Sequence, residues 1–383
     1  MNQRNFNDTP GEFSLDFPTA YSNILERIDA VDPLRYSKTR NFTNGDVTYL
    51  SPYISRGVIS LTQVKDAVLQ KGYKPYQVEK FLQELAWREY FQRVWQHVGD
   101  DIWSDIRQPQ PDVLQREMIE AIADANTGIV AMDNHINNMY ETGYMHNHVR
   151  MYTASLACNI AKTHWLQPSR WLYYHLLDGD IASNNCSWQW VAGAFSSKKY
   201  YFNQENVNKF TSHNQRSSYL DKSYEEIMMM DVPAPLMATT SLSLKTTLPN
   251  TTLQQLDTGK PTLIYNSYNL DAAWRATEDV NRVLLLEPSH FEEYPVSEKI
   301  IQFIINLSKN INGIHLYTGE IDDIAQLYKD AGNWKTDAII SKEHPAFGYY
   351  PGIKDSRQWM FPTVTGYHNS FFSFWKKCER LLK

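Results

Sequence analysis

Apolar residues recur at helical spacing through most of the first half of the chain and fall into short strand-like runs only in the last third. A helix is predicted from Pro18, ended by Pro33 and the polar run 36–46. A long helix is predicted over about 76–97, with Val78, Phe81, Leu82, Leu85 and Phe91 on its apolar side. After Trp103 the stretch 108–111 reads as a turn. Helices are then expected near 113–125 and 129–141, separated by Asn126, Thr127 and Gly128. The pattern continues with helices over 143–164 and 168–177. A segment over 178–185 then leads into a short helix holding Trp188 and Trp190.

Beyond Phe210 the character changes. Residues 212–260 are rich in Ser, Thr, Asn and Gln and predict a linker with little core of its own, draped over the helices. The last third then alternates. The runs 262–265, 282–287, 313–318 and 337–341 suit buried parallel strands, and Ile300, Phe303, Ile304 and Leu307 mark a helix between them. The expected organisation is a two-domain chain. An all-α domain over 1–215 and a linker over 216–259 precede a small parallel-sheet α/β domain of Rossmann-like type over 260–383. This last part carries no GxGxxG or P-loop pattern, so its sequence predicts no nucleotide.

Composition narrows the class. At 383 residues with 42% apolar and 21% charged residues, the chain fits a globular protein with two cores. No apolar run reaches membrane-spanning length, and the first residues lack a signal-peptide core. Three scattered cysteines, Cys158, Cys186 and Cys378, read as reduced thiols, which predicts a cytoplasmic protein. They are too few to hold an iron–sulfur cluster. The net charge of −6 does not announce a nucleic-acid binder. Residues 142–204 nevertheless carry five basic side chains against two acidic ones, which permits a basic face.

Candidate chemistry concentrates between Gly143 and Trp190. Asn147, Arg150 and Met151 fall on one helix face. Asp178 and Asp180 lie among aromatics, where a desolvated carboxylate needs a partner, and Arg150 is the candidate for Asp178. Such a pocket suits a large, flat, polar-edged ligand between aromatic walls. Upstream, Glu84, Trp87, Arg88 and Phe91 form a single helical stripe, where simple packing would place Leu or Val. A calcium loop at Asp178-Gly179-Asp180 fails, because Ser183 stands where glycine is needed and Gln189 where glutamate is needed. His146 and His148 are two apart and make no metal pair on a helix.

Four ordered stretches, 47–60, 83–91, 143–151 and 176–190, together resemble the photolyase/cryptochrome family in its helical flavin-binding domain. The run Gly-Tyr-Met-His-Asn ending in Arg150-Met151 and the Asp-Gly-Asp run leading to Asn184-Asn185 and Trp188-Gln189-Trp190 carry the likeness. It implies non-covalent FAD held by Tyr36, Thr48, Tyr49, Leu50, Ser51, Arg88, Arg150, Asp178, Asp180 and Asn184. Asn184 would lie at the flavin N5. It further implies light-driven repair of cyclobutane pyrimidine dimers in UV-damaged DNA, with an electron passing from reduced flavin to the dimer and back. Glu84, Trp87, Asn147, Met151 and Trp190 would form the lesion pocket, entered by the dimer flipped from the duplex. Trp188 and Trp165 match the inner and middle members of an electron relay. The α/β domain weakly resembles the family's antenna domain, here placed after the helical one, and a second chromophore of unknown kind is possible. The expected protein is a monomer.

Three departures accompany the likeness. Cys186 and Ser187 replace two glycines, which narrows space near the flavin. The outer relay tryptophan falls near Asp112, and a DNA-contacting arginine is absent from 198–204. The alternative is a cryptochrome-like blue-light receptor signalling through a protein partner. A third is a flavoprotein without a light function. A receptor has no need to keep the five lesion-pocket residues together.

Overall fold

The computed structural model describes residues 15–253 and 256–382. Among them are sixteen α-helices, a two-stranded ribbon and a five-stranded sheet. Helix α1 (Tyr21–Asp29) is followed at once by α2 (Pro33–Thr39), where the sequence predicted irregular chain. Pro33 opens α2 rather than ending α1. Its missing N–H is harmless in a first turn, and the Asp32 carboxylate accepts from the N–H groups of Leu34 and Arg35. The short α3 (Ser51–Ser55) and α4 (Leu61–Gln70) lead into the long α5 (Glu79–Val98), which begins three residues later than expected.

The helix expected over 113–125 shrinks to α6 (Glu120–Ala123). Before it, strand β1 (Met118–Ile119) pairs antiparallel with β2 (Thr239–Thr240), and Gln115 bridges to Thr163. Long-range backbone pairing overrides local helix preference there. The helix expected over 143–164 is likewise divided. Gly143, in the left-handed region at φ 74°, ends α7 (Val130–Thr142), and α8 (Asn147–Ser155) starts where the His146 ring accepts from the His148 N–H. A π-turn over Leu156–Ile160 closes it. Helix α9 (Leu166–His175) precedes α10 (Ile181–Ala192), so Asn184 and Asn185 lie inside a helix rather than in a lead-in segment.

Helices α11 (Gln204–Thr211) and α12 (Tyr224–Met229) follow. The polar stretch around α12 reaches across the helices: Leu220, Ile227 and Leu236 are buried in one apolar cluster with Met132, Tyr152 and Trp188. The sheet then forms from β3 (Thr262–Tyr265), β4 (Asn281–Leu286), β5 (Ile314–Thr318), β6 (Ile339–Lys342) and β7 (Ile353–Asp355). All its strands are parallel, in the order β5-β4-β3-β6-β7, with α13 (Pro288–Glu293), α14 (Glu298–Ser308) and α15 (Ile321–Asp330) between them. Strand β7 was not foreseen, because Ile353 and Lys354 are exposed and make no apolar run. Helix α16 (Phe371–Cys378) ends the described chain with a short 3-10 turn.

One apolar cluster joins the two parts. Ile24, Tyr53, Leu82 and Tyr90 from the helices share it with Tyr265, Leu284, Phe303 and Phe374. A close backbone approach between the two parts is at Gly57, whose φ is +65°. A Cβ there would lie 2.4 Å from the Tyr268 carbonyl oxygen beyond β3. Next to it the Arg56 carbonyl accepts from the Leu270 N–H at 2.9 Å. Gly57→Ala combines left-handed strain with a backbone clash and should destabilise the fold by at least about 2 kcal/mol. Urea unfolding checks this; an unchanged midpoint would show that the two parts do not depend on this contact.

Several buried or half-buried histidines make the helical part acid-sensitive, His164 and His175 among them. Burial lowers His135 to about 4, His146 to about 3 and His148 to about 4, with nearby Arg40 also acting on His148. The folded pKa lies below the unfolded 6.5 in each case, so the unfolded chain takes up protons first. Stability should therefore be full above about pH 6.5 and fall progressively towards about pH 3. Urea midpoints across that window test it, and His148→Gln should flatten the slope. An equal slope in parent and variant would acquit His148.

Candidate functional site

A cavity of about 440 Å³ opens among α2, α3, α5, α8, α9 and α10. Its centre is the stretch between α9 and α10. Asp178 is buried, and Arg150 from α8 donates to both of its carboxylate oxygens at 3.0 Å. The guanidinium is held further by the Met145 carbonyl at 2.7 Å and lies over the Tyr144 ring. Two residues on, Asp180 is buried still more completely. Its carboxylate caps α10 by accepting from the Ser183 N–H at 2.8 Å, and it also accepts from Arg88 at 3.2 Å and Gln92 at 2.5 Å. Each charge is thus compensated by a cation or several donors, which is what burial of a carboxylate requires.

Helix α5 supplies one wall, with Glu84, Trp87, Arg88 and Phe91 lining the cavity as the sequence stripe implied. Glu84 sits between Arg40 at 3.3 Å and Lys80 at 3.1 Å. The Trp87 ring is stacked on Phe371 of α16, with centroids 3.8 Å apart and planes 9° from parallel. Opposite, Asn147 and Met151 of α8 and Trp188 and Trp190 of α10 reach the same space. Trp188 is buried, whereas Trp190 is 39% exposed and packs obliquely against Tyr200. Asn184 lines the cavity, its amide N–H group donating to the Ser169 carbonyl at 2.9 Å.

The loop before α3 closes another side through Thr48, Tyr49 and Ser51. Tyr49 adopts φ 53°, the left-handed region that a tyrosine occupies only at a cost. Its ring meets Tyr144 edge to face. Ser51 is the first residue of α3 and no side chain caps that helix. Tyr36 of α2 also lines the cavity, and burial together with the nearby Glu84 carboxylate raises its phenol above the ordinary range.

Two residues of the predicted site stay out of the cavity. Leu50 is buried in the apolar core, and Trp165 is fully buried in the same apolar cluster as Trp188, its indole N–H donating to Asp105 at 2.7 Å. Of the two glycine replacements, Ser187 lines the cavity while the buried Cys186 packs into the core, so only one of them narrows the space. At the expected place of an outer tryptophan, Asp112 pairs with Lys199 at 2.6 Å. Sequence reasoning missed Arg40, Gln92, Tyr144 and Ser183. Gln92 was findable, one turn beyond Arg88 on the same stripe. Arg40 was hidden in a polar run read as irregular.

A second cavity of about 360 Å³ adjoins the first, sharing Ile54, Leu61, Arg88 and Asp180. It lies at the carboxyl ends of β3 and β6, where the strand order reverses. Both amide atoms of the buried Asn269 and two nitrogens of Arg357 have no hydrogen-bond partner among the described residues.

Residues 81–238 match the family described as the FAD binding domain of DNA photolyase. The deoxyribodipyrimidine photo-lyase of Streptomyces griseus is 34% identical over 152 residues, covering 39% of this chain and 33% of that protein. That of a Synechococcus species is 30% identical over 169 residues, covering 42% and 35%. A Synechocystis cryptochrome structure aligns at 24% identity and a TM-score of 0.47, covering 51% of this chain and 44% of that one. The chain spans about a third of the length of these two photo-lyases. The region of likeness contains α8, α10 and nearly all of α5, together with the α9–α10 connection that carries Asp178, and over residues 81–238 the chain is similar to the FAD binding domain of DNA photolyase.

Proposed function

We propose that this protein binds FAD and repairs cyclobutane pyrimidine dimers in DNA under blue light. The observation that carries the reading is convergence. The Arg150–Asp178 pair shares one cavity with Glu84, Trp87, Asn147, Met151 and Trp190, the set a dimer-binding enzyme needs and a receptor does not. The cavity's donor set fits a flavin: a buried ion pair, aromatic walls, an un-ionisable amide, and a buried Ser183 hydroxyl without a hydrogen-bond partner among the described residues.

Arg150, Asp178, Asp180 and Asn184 would hold the flavin ring system, and Tyr36, Thr48, Tyr49, Ser51 and Arg88 its polar remainder. Leu50 would serve through its backbone alone, since its side chain is in the core. Bound and reduced, FAD supplies the light-driven electron that opens the cyclobutane ring and is then regained. The protein's own residues position the partners. The Arg150 guanidinium orients Asp178 by donating to both of its carboxylate oxygens, and Asn184, fixed by the Ser169 carbonyl, offers a hydrogen bond that cannot turn into a charge. Trp87 and Trp190 give flat apolar faces on which unstacked pyrimidines can lie, while Glu84 and Asn147 offer polar contacts to their edges. The Arg40 and Lys80 cations on either side of Glu84 hold its carboxylate in place.

Trp188 and Trp165 would relay electrons inward. Asp105 accepts from the Trp165 indole at 2.7 Å, so positive charge left on that ring would face a carboxylate. The α/β part, following the helices, is proposed as an antenna domain in swapped order. The second cavity, where both amide atoms of Asn269 lack a hydrogen-bond partner among the described residues, is proposed as the place for a further chromophore.

Illumination of purified, reduced protein with a dimer-containing oligonucleotide tests the reading; intact dimers after prolonged light would overturn it. Asp178→Ala should weaken FAD retention by about 2–3 kcal/mol, because Arg150 is left as an unpaired, mostly buried charge. Flavin co-purification and titration measure that loss. Trp188→Phe should abolish photoreduction of oxidised flavin yet spare repair by chemically pre-reduced protein, since phenylalanine keeps the packing but resists oxidation. If flavin bleaching under blue light proceeds at the parental rate, Trp188 is only a core side chain.

A further inference from the structure

Helix α16 is anchored to the wall of the candidate site and turns a free basic face to solvent. Its inner side is buried against α5: Phe371 stacks on Trp87, Trp375 continues the column 6.3 Å beyond Phe371 at 13°, and the Trp375 indole donates to Glu79 at 3.2 Å. Trp87 lines the cavity and Phe371 does not, so the helix sits behind the cavity wall rather than in the cavity. On its outer side Phe372 is 65% exposed, in edge contact with Phe371. Lys376, Lys377 and Arg380 are exposed beside it and form no ion pair among the described residues, with Glu379 the single acid between them.

A large aromatic left in water costs free energy that burial elsewhere would have recovered. Lys376, Lys377 and Arg380 give this end of the described chain a local positive charge, against a net charge of −6 for the whole sequence. Together, an exposed ring and clustered cations match a strand of nucleic acid, whose phosphates neutralise the cations and whose bases stack on the ring. We propose that α16 is a DNA-contacting element: Lys376, Lys377 and Arg380 neutralise backbone phosphates, and Phe372 stacks on a base neighbouring the flipped dimer. The inference rests on the reading of Trp87 as a lesion-pocket wall. It gives a source for the phosphate contacts that the segment 198–204 lacks, where Lys199 is already engaged by Asp112.

The test is binding of a fluorescent, dimer-containing single-stranded oligonucleotide by anisotropy at several salt concentrations. Parent, the double variant Lys376→Ala with Lys377→Ala, the double variant Lys376→Arg with Lys377→Arg, and Phe372→Ala are compared, each with parental circular dichroism and flavin content. The alanine pair should bind about tenfold more weakly at moderate salt and lose about 1.4 from the slope of log affinity against log salt, while the arginine pair keeps both. Phe372→Ala should lose about tenfold with the slope unchanged. If the parent binds and every variant matches it in affinity and slope, α16 is not in the DNA path and an acidic protein partner becomes the better occupant. A parent with no affinity for damaged DNA would overturn the lesion-pocket reading itself, and this proposal with it.

Discussion

Two carboxylates buried two residues apart impose the architecture around them. Asp178 and Asp180 cannot be taken from water unless each finds a cation or several donors. No single helix can supply both sets. Arg150 comes from α8, whereas Arg88 and Gln92 come from successive turns of α5, and the N–H of Ser183 comes from α10 itself. Satisfying the pair therefore fixes three helices relative to one another. The cavity is the space left between them.

The same segment fastens the second half of the chain. The Ser55 hydroxyl donates to the Asp178 carbonyl at 2.9 Å, and the buried Arg56 side chain donates to the Leu177 carbonyl at 3.0 Å. Arg56 then extends over the Tyr268 ring, and its own carbonyl takes the Leu270 N–H. Gly57 allows that approach because any side chain there would meet the Tyr268 backbone. The carboxyl end of the central strand β3 is thus two contacts away from Asp178. Energy spent ordering this junction serves both the sheet and the site.

Legibility in the sequence followed the range of the interactions. The strand β3 and helix α14 are written in local apolar periodicity: β3 spans the predicted 262–265, and α14 buries the predicted stripe Ile300, Phe303, Ile304 and Leu307. The stripe Glu84, Trp87, Arg88, Phe91 and the trio Asn147, Arg150, Met151 were readable for the same reason, because helical spacing alone puts each set on one face. What failed was set by distant partners. The stretch before α6 is extended because it pairs with Thr163 and with β2, neither of which is near in sequence. Cys186 and Ser187 are adjacent and were read alike, yet about 100° of helical turn sends one into the core and the other into the cavity. Arg40 escaped notice because only the fold brings it against Glu84, and α2 itself depends on an Asp32 cap that Pro33 disguised.

The contacts that build the site do not depend on which half of the chain comes first. The junction at Arg56, Gly57 and Leu270, and the ring column Trp87, Phe371 and Trp375, are made across surfaces and not along the connecting stretch. That stretch packs on the helices through Leu220, Ile227 and Leu236 and only ties the parts together. The α/β unit that follows the helices meets them where the chain just beyond β3 reaches Arg56 and Gly57. Placing it last has one physical consequence. The chain's final helix is carried back onto α5, directly behind Trp87, so the wall of the cavity is braced by residues nearly three hundred positions away from it in sequence.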